Sequence, residues 1–189
     1  MMNSITVNAP AKINTILRVI GRRPNGFHDL KMIMVPLKLA DEITLTKISS
    51  GIEFACDCMA DAGMTGEQNL AWRAANLLRQ VASREDGVKI TLKKNIPVAA
   101  GLGGGSSDAA AVLRGLNQLW DLGYTANELA SQGMKLGSDV PFFCYDSVAR
   151  VEGLGDEVIP LDSFPKLFIL LINPGFAVST PWVYQEFDR

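Results

Sequence analysis

Apolar and polar residues alternate along the first quarter of the chain and recur at helical spacing through its middle. Residues 5–7 and 13–20 read as strands separated by a break at Ala9-Pro10-Ala11. Arg22-Arg-Pro-Asn-Gly26 is a turn, punctuated by Pro24 and Asn25-Gly26. Residues 31–39 look extended, 42–47 alternate again, and 52–56 form a further strand before a glycine-containing loop to Gly66. Asn69 then caps a helix whose apolar face carries Leu70, Ala74, Leu77, Leu78 and Val81. Val88-Lys-Ile-Thr-Leu92 is a half-buried strand, and Val112, Leu113, Leu116, Leu119 and Trp120 mark a second helix. Thr125-Ala-Asn-Glu128 is a capping box opening a helix that ends near Leu136-Gly137. Residues 148–152 and 156–160 bracket the turn Gly153-Leu-Gly155, and the unbroken apolar run 168–172 predicts a buried strand. Thr180-Pro181 starts a last helix, with proline at its first position. Strands and helices interleave irregularly, which predicts an α+β fold: a mixed or antiparallel sheet with helices on one face.

Between the strand at 88–92 and the helix after it lies Pro97-Val-Ala-Ala-Gly-Leu-Gly-Gly-Gly-Ser-Ser-Asp-Ala-Ala-Ala111. Gly101, Gly103, Gly104 and Gly105 leave a stretch of backbone nearly bare of side chains, followed by Ser106, Ser107 and an alanine-rich helical segment. Such a loop tolerates positive φ and close approach, and a helix opening from it offers unpaired N–H groups to a phosphate. It is not a Walker loop, since no lysine follows the glycines, and Ser106 stands where a dinucleotide fingerprint needs glycine. A flexible Gly/Ser linker is the plainer reading, but the tract joins two patterned segments and not two domains.

Composition narrows the class. The 189 residues suffice for one sizeable domain or one domain and the start of another, and 48% apolar with 20% charged residues fits a chain with a real core. A net charge of −2 carries no electrostatic footprint for nucleic acid or an anionic membrane. Three cysteines, an odd number, point to a reduced, cytoplasmic protein, and Cys56 and Cys58 are too few to form a metal site alone. No signal peptide or bilayer-length apolar run is evident. The pattern accommodates a monomer or a homodimer.

Candidate chemistry sits in three places besides the loop. Lys12 and Asn14 open a strand, where a lysine is ordinarily a solvated charge and an asparagine a turn or cap. Asp139 in Leu136-Gly-Ser-Asp-Val-Pro141 lies before Phe142-Phe143, either as a capping aspartate or as a working carboxylate. His28, the single histidine, follows Phe27; the pair either stacks on and reads a base or packs back on the core.

Ala9-Pro-Ala-Lys-Ile-Asn14, Arg23-Pro-Asn-Gly-Phe-His-Asp-Leu30, Ala100-Gly-Leu-Gly-Gly-Gly-Ser-Ser-Asp-Ala-Ala110 and Leu136-Gly-Ser-Asp-Val-Pro-Phe142 together resemble the GHMP kinases, over essentially the whole chain. Within that family they are similar to members whose acceptor is a cytidyl diphosphate alcohol. The resemblance implies the N-terminal GHMP domain, of the fold shared with ribosomal protein S5 domain 2, over residues 1–160. It implies the start of a C-terminal domain over 161–189, in a chain shorter than the family's usual length. It further implies that Asp139 is the base toward the acceptor hydroxyl and Lys12 its partner. Asn69, Leu70, Lys94, Pro97, Gly101, Leu102, Gly103, Gly104, Gly105, Ser106 and Ser107 would bind ATP. Asn14, Phe27, His28, Thr180 and Tyr184, with Asp139, would hold the acceptor, Phe27 and Tyr184 giving two stacking faces for cytosine. Mg²⁺ would accompany ATP, with no ligand identified. Asp108 puts a negative charge near the bound phosphates, and Phe27 stands where tyrosine is frequent.

Two other classes remain in view. A homoserine- or mevalonate-type kinase would share the loop but has no cytosine to read. A binding module, for RNA or for nucleotide without transfer, would share the fold.

Overall fold

The computed structural model describes residues 2–57, 66–175 and 178–189, without the side chains of Thr180 and Pro181. Its frame is a hairpin of two long strands, β1 (Ser4–Arg22) and β2 (His28–Ile48), antiparallel along their whole length. The turn between them closes through Gly26 N–H donating to Arg23 O and Arg23 N–H to Phe27 O, with Gly26 at φ +86°. β2 is the centre of a six-stranded sheet. Its opposite edge is shared by two partners: β5 (Ala149–Gly153) pairs with residues 30–34 and β4 (Gly87–Lys93) with residues 42–48. β3 (Ile52–Cys56) adds parallel to β4, and β6 (Glu157–Pro160) adds to β5.

The expected break at 9–11 is a bulge, not a gap between strands. Pro10 has no N–H to give the ladder, and the register slips between Pro10 and Lys12 while pairing continues on both sides. The slip has a consequence for side chains. Ala11 (0% exposed) and Lys12 (8%) are both buried, although strict alternation would send one of them to solvent. Likewise, the expected strands 31–39 and 42–47 are one element.

Helices cover one face. α1 (Leu70–Val81) is capped by the Asn69 side chain, which accepts from Ala71 N–H at 2.8 Å. α2 (Gly104–Leu119) packs against β1, β2 and α1, and Ser107 through Leu113 are buried without a break. That is why the segment is rich in alanine. At Gly115 the helix comes so close that a Cβ would stand 2.6 Å from Leu45 Cδ1. α3 (Ala126–Gly133) begins at the predicted capping box, with Thr125 and Glu128 bonding reciprocally, and the short α4 (Val140–Phe143) follows. On β4, Val88, Ile90 and Leu92 are buried under the helices while Lys89, Thr91 and Lys93 are exposed. Cys144 belongs to this core, where burial pushes its thiol up to about 12 and leaves it unreactive. Cys56 ends β3, whereas Cys58 lies outside the described residues.

The run 168–172 is not a buried strand. It is irregular, and Phe168, Leu170 and Ile172 are 93%, 84% and 82% exposed. A continuous apolar run reads as a core strand only if a sheet supplies ladder partners and cover on both faces, and among the described residues none pairs with it. The last element, α5 (Thr180–Phe187), returns to the β1–β2 turn.

Candidate active site

β4 and β5 leave the middle of β2, residues 35–41, without a ladder partner on that edge, and the segment leaving β4 toward the glycine loop bonds there, Asn95 Nδ2 donating to Ala40 O at 2.8 Å. Asp41, fully buried, anchors the strand exit: its Oδ1 accepts from Asn95 N–H (2.6 Å) and Ile96 N–H (2.8 Å). At the other end of the loop, Lys12 N–H donates to Leu102 O at 2.9 Å. Both ends are therefore tied to the hairpin.

Gly103 takes a left-handed conformation (φ +71°, ψ 16°) as the N-cap of α2, with no side chain capping the helix. Gly104, Gly105, Ser106 and Ser107 lie in the first turn of α2, so the helix begins earlier than the alanine pattern implies. Ser107 N–H is satisfied by Gly103 O at 2.9 Å, which leaves the preceding amide groups at the positive end of the helix dipole. They face a cleft of about 350 Å³ lined by Asn69, Leu70, Lys94, residues 97–106 and Asp108. Every nucleotide-side candidate except Ser107 lines this cleft. Ser107 is buried beneath it, and its hydroxyl makes no hydrogen bond among the described residues.

Beside the loop, Lys12 Nζ lies 3.6 Å from Asp139 Oδ2. Asp139 occupies the N-cap position of α4, but its carboxylate caps no helix N–H and faces Lys12. The Asp139 turn is held against the sheet by the β5–β6 turn, where a Cβ on Gly155 (φ +102°) would collide with Ser138 O. Lys12 reaches Asp139 because the bulge at residues 10–12 turns its side chain inward and across Gly103. A Cβ on Gly103 would stand 3.0 Å from Lys12 Cγ and 3.0 Å from Phe143 Cζ.

Under the first turn of α2 lies a buried ion group. Lys94 Nζ donates to Asp41 Oδ2 (2.5 Å) and to Asp108 Oδ2 (2.8 Å), with Asp41 0% and Asp108 3% exposed. Burial opposes the charge on Lys94, but Asp108 and Asp41 outweigh it and hold the ammonium above its ordinary value. Burial raises the Asp108 carboxyl to about 7 against the pull of Lys94, and the charge of Asp41 adds to the rise. Lys94 thus lines the cleft as expected but is bound to two carboxylates. Asp41 and Asp108 escaped the list of candidates; a charged residue within the apolar alternation of β2 is the signal that finds Asp41.

The acceptor-side candidates gather at the β1–β2 turn and α5. His28, 8% exposed, stacks on Tyr184 with ring centres 4.8 Å apart and places Nε2 2.8 Å from Asp188 Oδ1. Phe187 meets the same ring edge-on. Burial and the charge of Asp139 both raise the Tyr184 hydroxyl, which links this cluster to the Lys12–Asp139 pair. Phe27 is 64% exposed, so its ring offers an open face, whereas one face of Tyr184 is taken by His28. Asn14 is on β1 two residues beyond Lys12, and its Oδ1 is buried without a hydrogen bond among the described residues. Thr180 opens α5; its side chain lies outside the described residues. Among the described residues no group of three or more His, Cys, Asp or Glu is arranged to hold a metal ion. Nor is any helix long and apolar enough to cross a membrane.

An uncapped glycine-rich helix start beside a lysine–aspartate pair, on this sheet, is the arrangement of a small-molecule kinase domain, and comparison with known proteins agrees. The family model of the GHMP kinases N terminal domain matches residues 69–147. The chain belongs to the GHMP kinases. Within them its similarity is to 4-diphosphocytidyl-2-C-methyl-D-erythritol kinases. That of Pelobacter propionicus is 49% identical over 185 residues, covering 98% of this chain and 66% of its own length. That of Geobacter metallireducens is also 49% identical, over 186 residues, with the same coverage. The chain therefore spans about two thirds, 66%, of the length of these curated relatives. A crystal structure of 4-(cytidine 5'-diphospho)-2C-methyl-D-erythritol kinase superposes with a TM-score of 0.79 at 39% identity, over 96% of this chain and 63% of that one. Homoserine kinase from Cytophaga hutchinsonii superposes at 0.63 with 19% identity, over 85% of this chain and 52% of that one, which speaks for the fold alone.

Proposed function

We propose that this chain carries the phosphoryl-transfer machinery of an ATP-dependent kinase. Its acceptor is the 2-hydroxyl of 4-diphosphocytidyl-2-C-methyl-D-erythritol, and its products are the 2-phosphate and ADP, in the non-mevalonate route to isoprenoid precursors in the cytoplasm. The observation that carries the reading is the Lys12–Asp139 pair, 3.6 Å apart beside the uncapped start of α2. The acceptor follows from the relatives of the same name and from the open aromatic face of Phe27. We assign residues 1–160 to the nucleotide-binding domain and 161–189 to a second unit.

In this reading the amide groups of Gly104, Gly105 and Ser106 hold the phosphates, and Asn69, Leu70 and Pro97 border the adenosine. Asp139 accepts the proton as the acceptor hydroxyl oxygen attacks the γ-phosphorus; the bond to the bridging oxygen breaks and its electron pair leaves with ADP. Lys12, 3.6 Å from the Asp139 carboxylate, lends positive charge to the transferring group. Phe27, His28, Asn14, Thr180 and Tyr184 form the cytidine side, with Phe27 as the stacking face and His28 positioned by Asp188. Mg²⁺ would supply charge neutralisation on the phosphates of the nucleotide, keeping most of its waters. The carboxylates beside the loop, Asp41, Asp108 and Asp139, each already face a lysine, so the described residues offer no metal cage and we assign no protein ligand.

The test is turnover with three acceptors. Phosphorylation of the cytidyl diphosphate alcohol supports the reading; transfer to homoserine or mevalonate, with none to the cytidyl compound, overturns it.

A further inference from the structure

The buried ion group under α2 lies outside the mechanism just described. Its charges do not balance: two carboxylates face one ammonium, so the group carries a net negative charge when both are ionised. Asp41 is satisfied by two backbone N–H groups as well as by Lys94. Asp108 is not. Its Oδ2 meets Lys94, and its buried Oδ1 makes no hydrogen bond among the described residues.

The position matters as much as the imbalance. Lys94 Nζ lies 3.4 Å from where a Cβ of Gly104 would stand, directly behind the first turn of the helix, and both Lys94 and Asp108 line the cleft. An anion seated on that turn faces this group across the turn.

We propose that Asp108, with Lys94 and Asp41, is a positioning group of the phosphate loop whose protonation is coupled to occupancy of the cleft by a nucleotide's phosphates. A phosphate arriving at the helix start adds negative potential and draws on the charge of Lys94; both effects favour the neutral form of Asp108. Binding therefore takes up a proton, and affinity weakens as pH rises through the range in which the free chain releases it. The carboxyl sits at about 7 before any ligand arrives, so the coupling operates near neutrality.

The surroundings leave few other groups to titrate in its place. Lys94 and Asp41 are the charged groups acting on Asp108. The elements packed on α2 bury apolar residues: Ala71, Ala74, Ala75 and Leu78 from α1, Leu129 and Ala130 from α3, and Val140, Phe142 and Phe143 from α4. From β1 the nearby cation is Lys12, which is paired with Asp139.

This inference rests on the nucleotide reading above. Calorimetric titration with AMP-PNP and Mg²⁺, near pH 7 in buffers of differing ionisation enthalpy, counts the protons taken up. The wild-type chain is expected to take up a fraction of a proton more than Asp108→Asn. Its affinity should also fall by roughly two- to tenfold per pH unit above about 7 relative to that variant, tenfold being the limit for one proton. Binding with equal proton counts overturns the coupling alone; absence of binding overturns the nucleotide reading and the coupling with it. Carboxyl-carbon NMR of the wild-type chain with labelled aspartate reads the same event without a substitution. One aspartate should titrate near neutrality and move upward when AMP-PNP is added; an unmoved titration counts against the proposal.

Discussion

Replacing Gly103 by alanine isolates what the loop demands of its backbone and of its neighbours. The residue sits at φ +71°, where any side chain strains the backbone, by about 1–2 kcal/mol. The added Cβ would also stand 3.0 Å from Lys12 Cγ, 3.0 Å from Phe143 Cζ and 3.1 Å from Phe143 Cε2. Phe143 is 2% exposed in the core and has no room to retreat, so overpacking adds about 1–3 kcal/mol. The sum, roughly 2–5 kcal/mol, corresponds to a fall in Tm of about 5–15 °C for a chain of this size. Gly123 is the control: its φ is +74°, but a Cβ there meets nothing within 4 Å, so Gly123→Ala carries the backbone part alone. Urea denaturation of the two variants beside the wild type separates the parts. Gly103→Ala should lose at least about 1 kcal/mol more than Gly123→Ala, and its nucleotide affinity should fall because Lys12 and the helix start must shift. Equal losses in the two variants would refute the close approach of Lys12 and Phe143 to the loop.

Other variants probe separate parts of the molecule. Asp139→Ala should abolish turnover while leaving AMP-PNP binding nearly unchanged; a near wild-type rate would remove Asp139 from the role of base. Thr125→Ala deletes the capping box of α3 and should reduce stability by about 1 kcal/mol in denaturant titration; an unchanged midpoint would mean that the cap contributes nothing. The Asp108 carboxyl lies at about 7 in the folded chain, above its value near 4 when unfolded, so the folded state holds this proton more tightly. That stability is complete below about pH 4 and is lost as pH rises to about 7, at a slope of up to about 1.4 kcal/mol per pH unit. Asp108→Asn should therefore gain on the wild type between these limits, and parallel stability curves would contradict the assignment.

Much of this molecule is legible in local chemistry. The Asn69 cap, the Thr125–Glu128 box and the Asn25-Gly26 turn are fixed by neighbours in sequence, and each forms where its residues predict it. The loop and the residues beside it are legible as motifs, because glycine at 101 and 103 is needed for positive φ. What escapes the sequence is set by partners far along the chain. Pro10 signals a break, but pairing with β2 on both sides converts it into a bulge, and that bulge is what brings Lys12 to Asp139. Asp41 stands out only as a charge in the apolar phase of β2, and its partners, residues 94–96, come against it only in the folded chain. The apolar run 168–172 reads as core only under the assumption of a covering sheet, which the described residues do not supply. His28 faces Tyr184 and Asp188, a contact spanning 160 positions that no periodicity encodes.

The central claim is that Lys12, Asp139 and the start of α2 carry transfer of phosphate from ATP to a cytidyl diphosphate alcohol. It is tested most directly by following ADP release and phosphorylated product together on the wild-type chain, with Asp139→Ala as the blank. The account predicts matched amounts of ADP and 2-phosphate with 4-diphosphocytidyl-2-C-methyl-D-erythritol, and neither in the blank. ADP release with homoserine or mevalonate as acceptor, and none with the cytidyl compound, would contradict it.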